Sequence, residues 1–246
     1  MKDPSKTRET NSPETPIGEI VENWSPPPQP GNRILHGEYC HIEPISIEKH
    51  SADLFAANQL DQEDRIWVYL PYGPFDTLAD YQQWLATACQ RNDPMFFSII
   101  ENQSGKALGV ASYLRINPGA GSIEVGHINY SPAMQNTTMA TEAMYLMMKN
   151  VFALGYRRYE WKCNALNQRS CHAAVRLGFS YEGIFRQMLV VKGRNRDTAW
   201  YAMIDKEWPA LEQAYQTWLA TDNFDAEGGQ QQSLSSLTAD ALKERK

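Results

Sequence analysis

Two glycines, Gly155 and Gly178, each stop a helical stretch and hand the chain to a strand three residues later. Glycine does this because it adopts the left-handed helix terminus without a Cβ penalty. Before Gly155, the stripe Ala140, Ala143, Met144 and Met147 marks a long helix reaching Leu154. Before Gly178, a shorter helix is expected over 167–177, opened by Asn167 as N-cap. Strands are expected on either side, over 122–130, 158–163 and 181–191. Strands alternating with helices in this way make an α/β or mixed-sheet domain.

The rest of the chain supplies further strands for that sheet. A first strand is expected over 39–45, then a helical stretch over 48–59. A second helix opens at Asp76-Thr77, with Leu78, Tyr81, Leu85 and Cys89 as its apolar stripe to about residue 90. Residues 95–100 and 107–116 read as a hairpin about the turn Asn102-Gln-Ser-Gly105. After the last alternating strand, Lys192-Gly-Arg-Asn-Arg turns the chain into a final strand ending near Ile204, and a helix closes the domain. Domain limits of 34–220 follow. Residues 1–33 hold seven prolines and form an extended arm, which Ile20, Val21 and Trp24 are suited to pin. The tail, 221–246, is rich in Asp, Glu, Gln, Gly and Ser and is expected to be disordered.

Composition removes several classes of function. Hydrophobic residues make up 42% of the 246, enough for one packed core. No run approaches eighteen apolar residues, so no membrane span is expected, and the polar first fifteen residues predict no secretory leader. Cys40, Cys89, Cys163 and Cys171 form no C-x-x-C pair, which argues against a zinc ribbon or a disulfide scaffold. A net charge of −6 argues against a general nucleic-acid binder. The reading is of a soluble, reduced, cytoplasmic protein; oligomeric state stays open, a homodimer included.

Two segments carry chemistry. The first is the strand-to-helix junction Tyr130-Ser-Pro-Ala-Met-Gln135-Asn-Thr-Thr-Met-Ala140. A helix start presents unpaired N–H groups and the positive end of a dipole, which suits an anion; an ordinary connection would look the same. The second is Asn164-Ala-Leu-Asn167-Gln-Arg-Ser170, running on through Leu177-Gly178-Phe179 to Glu182-Gly183. Each of its pieces has an architectural explanation, but the conjunction is specific. Nine Lys or Arg against two acids fall between Arg157 and Arg196, in a chain whose remainder holds 14 basic and 27 acidic residues. Such a zone suits a phosphate-rich ligand, a solvated face or an RNA contact.

In this order, the two segments resemble the acetyl-CoA-binding and following motifs of the GCN5-related N-acetyltransferase (GNAT) superfamily, in its RimJ/RimL-like branch. Gln135 and Ala140 match the pyrophosphate turn. Asn167, Ser170, Leu177, Gly178, Phe179, Glu182 and Gly183 match the next motif, and Ile123-Glu-Val-Gly-His-Ile fits the strand before the turn. The likeness spans about 35–207. Thr138 stands where the family usually has glycine, and Ala174 where many members have a catalytic tyrosine.

The resemblance implies a mixed α/β fold, with a central, mostly antiparallel sheet splayed at its middle and flanked by helices. It implies acetyl transfer from acetyl-CoA to a primary amine, with no metal. Backbone groups at Ile128, Asn129 and Tyr130 would face the thioester, and Gln135, Thr137, Thr138, Met139 and Ala140 the pyrophosphate. Asn167 would bind the pantetheine arm. Ser170 is the candidate acid beside the leaving thiolate, and helix-terminal hydrogen bonding is its alternative role. Glu124 is the candidate base, with Glu160 behind it; a salt bridge to the basic zone is the alternative for Glu124. His127 reads as a packed histidine. Trp67, Tyr69, Tyr72, Trp161 and Trp200 are candidates to line an acceptor pocket. The competing class is a non-catalytic acyl-CoA-binding or protein-interaction module on the same fold.

Overall fold

The computed structural model of the chain describes residues 17–88 and 91–243. Residues 1–16 of the arm, Cys89 and Gln90 at the expected end of the second helix, and 244–246 of the tail lie outside the described residues. The expected order of elements is present. Strands β1 (Leu35–His36) and β2 (Cys40–Pro44) lead to helix α1 (Ile47–Asn58), a 3-10 turn (Arg65–Trp67) and α2 (Leu78–Ala88). Then come β3 (Met95–Glu101), β4 (Ala107–Asn117), β5 (Ser122–Tyr130), α3 (Thr138–Ala153), β6 (Arg158–Asn164) and α4 (Gln168–Arg176). The hairpin β7 (Ser180–Val191) and β8 (Arg194–Ile204) precedes α5 (Trp208–Leu219) and α6 (Leu234–Lys243).

The strands form one sheet in the order β1-β2-β3-β4-β5-β6-β8-β7. All neighbours are antiparallel except β5 and β6, which run parallel. A parallel pair needs a long crossover, and α3 provides it. Met139, Ala143, Met144, Met147, Met148 and Val151 bury one side of α3 against Ile123, Val125, Tyr159 and Trp161. A second apolar cluster lies on the other face, where Leu54, Tyr81 and Leu85 of α1 and α2 cover Phe96, Ile100 and Val110. Gly155 and Gly178 both have positive φ, +93° and +90°, as helix stops require. Among the described residues, no helix is long and apolar enough to cross a membrane.

The ends depart from expectation in an instructive way. Trp24 does pin the arm: its ring packs against Gly121, with Arg157 over it. Ile20 is largely exposed instead. The tail expected to be disordered forms α6, whose Leu234 is fully buried and whose Leu237, Ala241 and Leu242 join the main core. Thr238 donates its hydroxyl to the carbonyl of Arg176 at the end of α4. Composition dominated by Gln, Gly and Ser hides a four-residue apolar stripe that needs α4 and α5 to receive it.

Glu142, on the second turn of α3, ties that helix to the turn between β1 and β2. Its carboxylate is buried and accepts the backbone N–H groups of Glu38, Tyr39 and Cys40 at 2.7, 2.8 and 2.9 Å. A Cβ at Gly37 would lie 2.5 Å from this carboxylate, so glycine is needed for the close approach.

Candidate active site

The sheet parts between β5 and β6. Residues Ser122 to Val125 pair with Arg158 to Trp161, and there the pairing stops. Each strand nevertheless stays bound on its other side, β5 to β4 as far as Tyr130 and β6 to β8 as far as Asn164. The cause is local. Gly126 faces Ser112 and Asn129 faces Val110, so β5 carries one residue more than β4 over this stretch. His127, at φ +51°, absorbs it as a β-bulge, and a bulge bends its strand. Helices α3 and α4 both start beyond the carboxyl ends of the parting strands. Ligands of α/β sheets favour such crevices, because helix N-termini converge on them.

The α3 end of the crevice is built by its cap. Gln135 donates its backbone N–H to Ser131 and its side-chain amide to Tyr130, which curls the turn. Asn136 takes the left-handed conformation at φ +60°, which asparagine tolerates. Thr137 is the N-cap, its Oγ1 accepting from the Ala140 N–H at 3.2 Å. Thr138 is therefore the first helical residue, where threonine needs no unusual backbone. Its N–H and that of Met139 are helix-terminal donors without an intrahelical acceptor. Ala140, expected among the phosphate-binding donors, gives its N–H to the cap instead.

At the α4 end, Asn167 is the N-cap and accepts from the Ser170 N–H at 3.2 Å. Ser170 Oγ accepts from Trp161 Nε1 at 3.0 Å, and its hydroxyl also hydrogen-bonds the Cys163 thiol. Beside it, the thiols of Cys163 and Cys171 approach to 3.6 Å, and burial pushes Cys163 up to about 12. Ala174 is fully buried in the core, which leaves no room there for a larger side chain. His172 is exposed.

The opposite face of the opening holds the charged groups. Glu124 is buried, and its Oε2 receives both Arg115 at 2.6 Å and Lys162 at 2.9 Å. The network continues from Lys162 to Glu160 and through Arg158 to Glu182. Lys162 also sits 3.6 Å above the Trp200 ring. His127 stacks on Tyr72 and packs against Phe96. Burial first, then the charges of Arg115 and Arg196, lower its pKa to about 4, so the packed histidine is neutral near pH 7. Of the five aromatic candidates, Tyr72 and Trp200 border this face and Trp67 lies under Tyr72. Tyr69 reaches across to the Leu166 carbonyl, whereas Trp161 belongs to the other side of the sheet. Lys192, at the tip of the β7–β8 hairpin, donates to the Trp67 carbonyl and closes the rim.

The basic zone of the sequence does not gather at one place. Arg158 and Lys162 are neutralised by glutamates, Arg157 lies on Trp24 in the arm, and Lys192 holds the rim. Arg176 reaches α3, donating to Thr141. Glu142 and the Cys163–Cys171 approach escaped the sequence reading, since their significance lies in partners distant along the chain or on another element.

The family model of the acetyltransferase (GNAT) domain matches residues 41–180. A GCN5-related N-acetyltransferase from Brucella melitensis is 46% identical, with a TM-score of 0.87 over 89% of this chain and 100% of its own. A GNAT-family protein from Chromobacterium violaceum is 39% identical, with a TM-score of 0.75 over 81% of this chain and 100% of its own. The microcin C7 self-immunity acetyltransferase MccE, solved with acetyl-CoA and AMP, shares the fold at 17% identity and a TM-score of 0.60, over 68% of this chain and 93% of its own. No curated protein matches the chain.

Proposed function

Because the chain belongs to the GCN5-related N-acetyltransferase family, and so is an acetyl-CoA-dependent acyltransferase, we propose that it acetylates a primary amine by direct attack on the thioester. The acceptor is a protein N-terminus or a small-molecule amine, in keeping with the resemblance of its motifs to the RimJ/RimL-like branch. The observation that carries this reading is the parting of β5 and β6 between two capped helix starts. It opens a slot in the sheet with anion-binding donors at one end and the Ser170 hydroxyl at the other.

Each residue has a role in this reading. The N–H groups of Thr138 and Met139 bind pyrophosphate, aided by the turn from Gln135 to Thr137, and the small side chain of Ala140 lets phosphate approach. The pantetheine runs along the unpaired edge of Ile128, Asn129 and Tyr130, with Asn167 opposite, and brings the thioester to the gap. Glu124 keeps Oε1 free of both its cations. That oxygen binds the incoming ammonium and takes its proton through one water. Ser170 donates to the thiolate as it leaves.

A thiol-release assay with acetyl-CoA against a panel of amines and N-terminal peptides tests the activity. Calorimetry without heat at millimolar acetyl-CoA would sink it. Ser170→Ala should lower kcat by about tenfold, below the roughly 10²–10⁴-fold usual for general-acid catalysis, because a thiol of pKa near 8.5 leaves readily. The affinity for acetyl-CoA should barely change, since the hydroxyl matters as charge develops on sulfur. Equal kcat for both proteins would assign Ser170 to holding Trp161. In the companion variant Glu124→Gln, activity should recover as pH approaches the pKa of the amine.

A further inference from the structure

Arg196, Thr198 and Trp200 occupy alternate positions of β8 and so share one face of the sheet. Register fixes which face. Trp200 is opposite Lys162 and Thr198 opposite Asn164 on β6, while Glu124 on β5 is opposite Glu160. This is the charged face of the opening. Each of the three carries a buried polar atom with no hydrogen-bond partner among the described residues: Arg196 Nε, Thr198 Oγ1 and Trp200 Nε1.

Such groups are rare in folded proteins, where about nine in ten buried polar atoms are paired, so three in a row on one strand point to a partner that binds from outside. Its chemistry follows from the donors. The Arg196 and Trp200 nitrogens can only donate, so the missing group is an acceptor. The charge balance makes that acceptor an anion. Arg115 and Lys162 both lie on Glu124, and Arg158 lies on Glu160 and Glu182. Arg196 has no ion pair among the described residues. It is close enough to Glu124, Arg115 and His127 for each to sense its charge or be sensed by it. His127 is neutral and adds no counter-charge. A half-buried guanidinium with no ion pair among the described residues, its Nε buried and a second arginine beside it, is costly unless a ligand neutralises it. Its planar fork suits a carboxylate or a phosphate.

We propose that the acceptor carries an anionic group, a carboxylate or a phosphate, near the amine that is acetylated, and that Arg196 binds this group while Glu124 binds the ammonium. The proposal rests on the acetyltransferase reading above and names the substrate class for that site. A site with one cationic and one anionic anchor selects zwitterionic amines and holds the amine in a fixed direction.

Two measurements test it. The first compares kcat/KM for matched amines: α-amino acids against their amides, and O-phosphoethanolamine against ethanolamine. The anionic member of at least one pair should lead by about tenfold or more, and whichever pair shows the lead identifies the anion. The ratio within a pair cancels any general loss of activity in a variant. It should fall at least tenfold in Arg196→Gln and only partly recover in Arg196→Lys, which keeps charge but loses the fork. Ratios at or below one in both pairs, or ratios unchanged in Arg196→Gln, overturn the proposal. The second measurement does not depend on finding the acceptor. The Arg196 Nε–H resonance, assigned by its absence from Arg196→Lys, is followed while protein saturated with CoA is titrated with inorganic phosphate or with acetate. A saturable shift with either anion is expected, and no shift with both overturns the proposal. A protein that binds no CoA would instead tell against the acetyltransferase reading; the same titration on unloaded protein would still decide for or against Arg196.

Discussion

Thr138→Asp should cost the protein its affinity for acetyl-CoA while leaving α3 intact. Thr138 is the first helical residue, next to the Thr137 cap. An aspartate there faces the positive end of the helix dipole, which favours the helix by about 0.3–1 kcal/mol. The same carboxylate would sit beside the bound pyrophosphate and compete for the N–H groups of residues 138 and 139. Two unit charges about 5 Å apart, at an effective dielectric constant near 20, repel by roughly 3 kcal/mol, or about 100-fold in affinity. Calorimetry should therefore show at least that loss, with a melting temperature unchanged or slightly raised. Affinity equal to that of the unmodified protein would mean that pyrophosphate binds elsewhere.

The largest stability effect is expected at Glu142. Its carboxylate satisfies three backbone N–H groups around the β1–β2 turn in a site almost closed to solvent. Glu142→Ala leaves all three donors facing a cavity. With about 1–3 kcal/mol for each buried donor left unpaired, and partial relief from entering water, a loss of roughly 3–5 kcal/mol is expected. Glu142→Gln should lose less, because one oxygen still accepts. Urea unfolding measures both, and a loss below about 1 kcal/mol for the alanine variant would show that the carboxylate is not what holds the turn. The same carboxylate fixes β2 to the second turn of α3, so acetyl-CoA affinity should weaken alongside stability.

The roles of Glu124 and of the basic zone show where reading along the chain runs out. Glu124 was legible as a carboxylate on the strand before the turn. That its Oε2 is held by Arg115 and Lys162 follows only when β4, β5 and β6 lie side by side. Nine basic residues within forty positions suggest a patch, but strand alternation and helix faces send them to different surfaces. A cluster in sequence is a cluster in space only within a single element face.

Sequence alone determined the order of strands and helices, the two glycine stops, the cap at Asn167, and the two motifs. These are local: a periodicity or a backbone conformation is decided by residues within a few positions of one another. It missed α6, whose short apolar stripe is stable only in the groove offered by α4 and α5. It also did not reveal that the strands part after Val125, because the bulge at His127 shows only against the register of β4. Arg196, Thr198 and Trp200 look ordinary as residues of one strand. They become a row of unpaired donors only because β8 pairs with β6 and faces Glu124 across it. Burial and pairing are properties of the neighbours a side chain finds, and those neighbours are chosen by the whole fold.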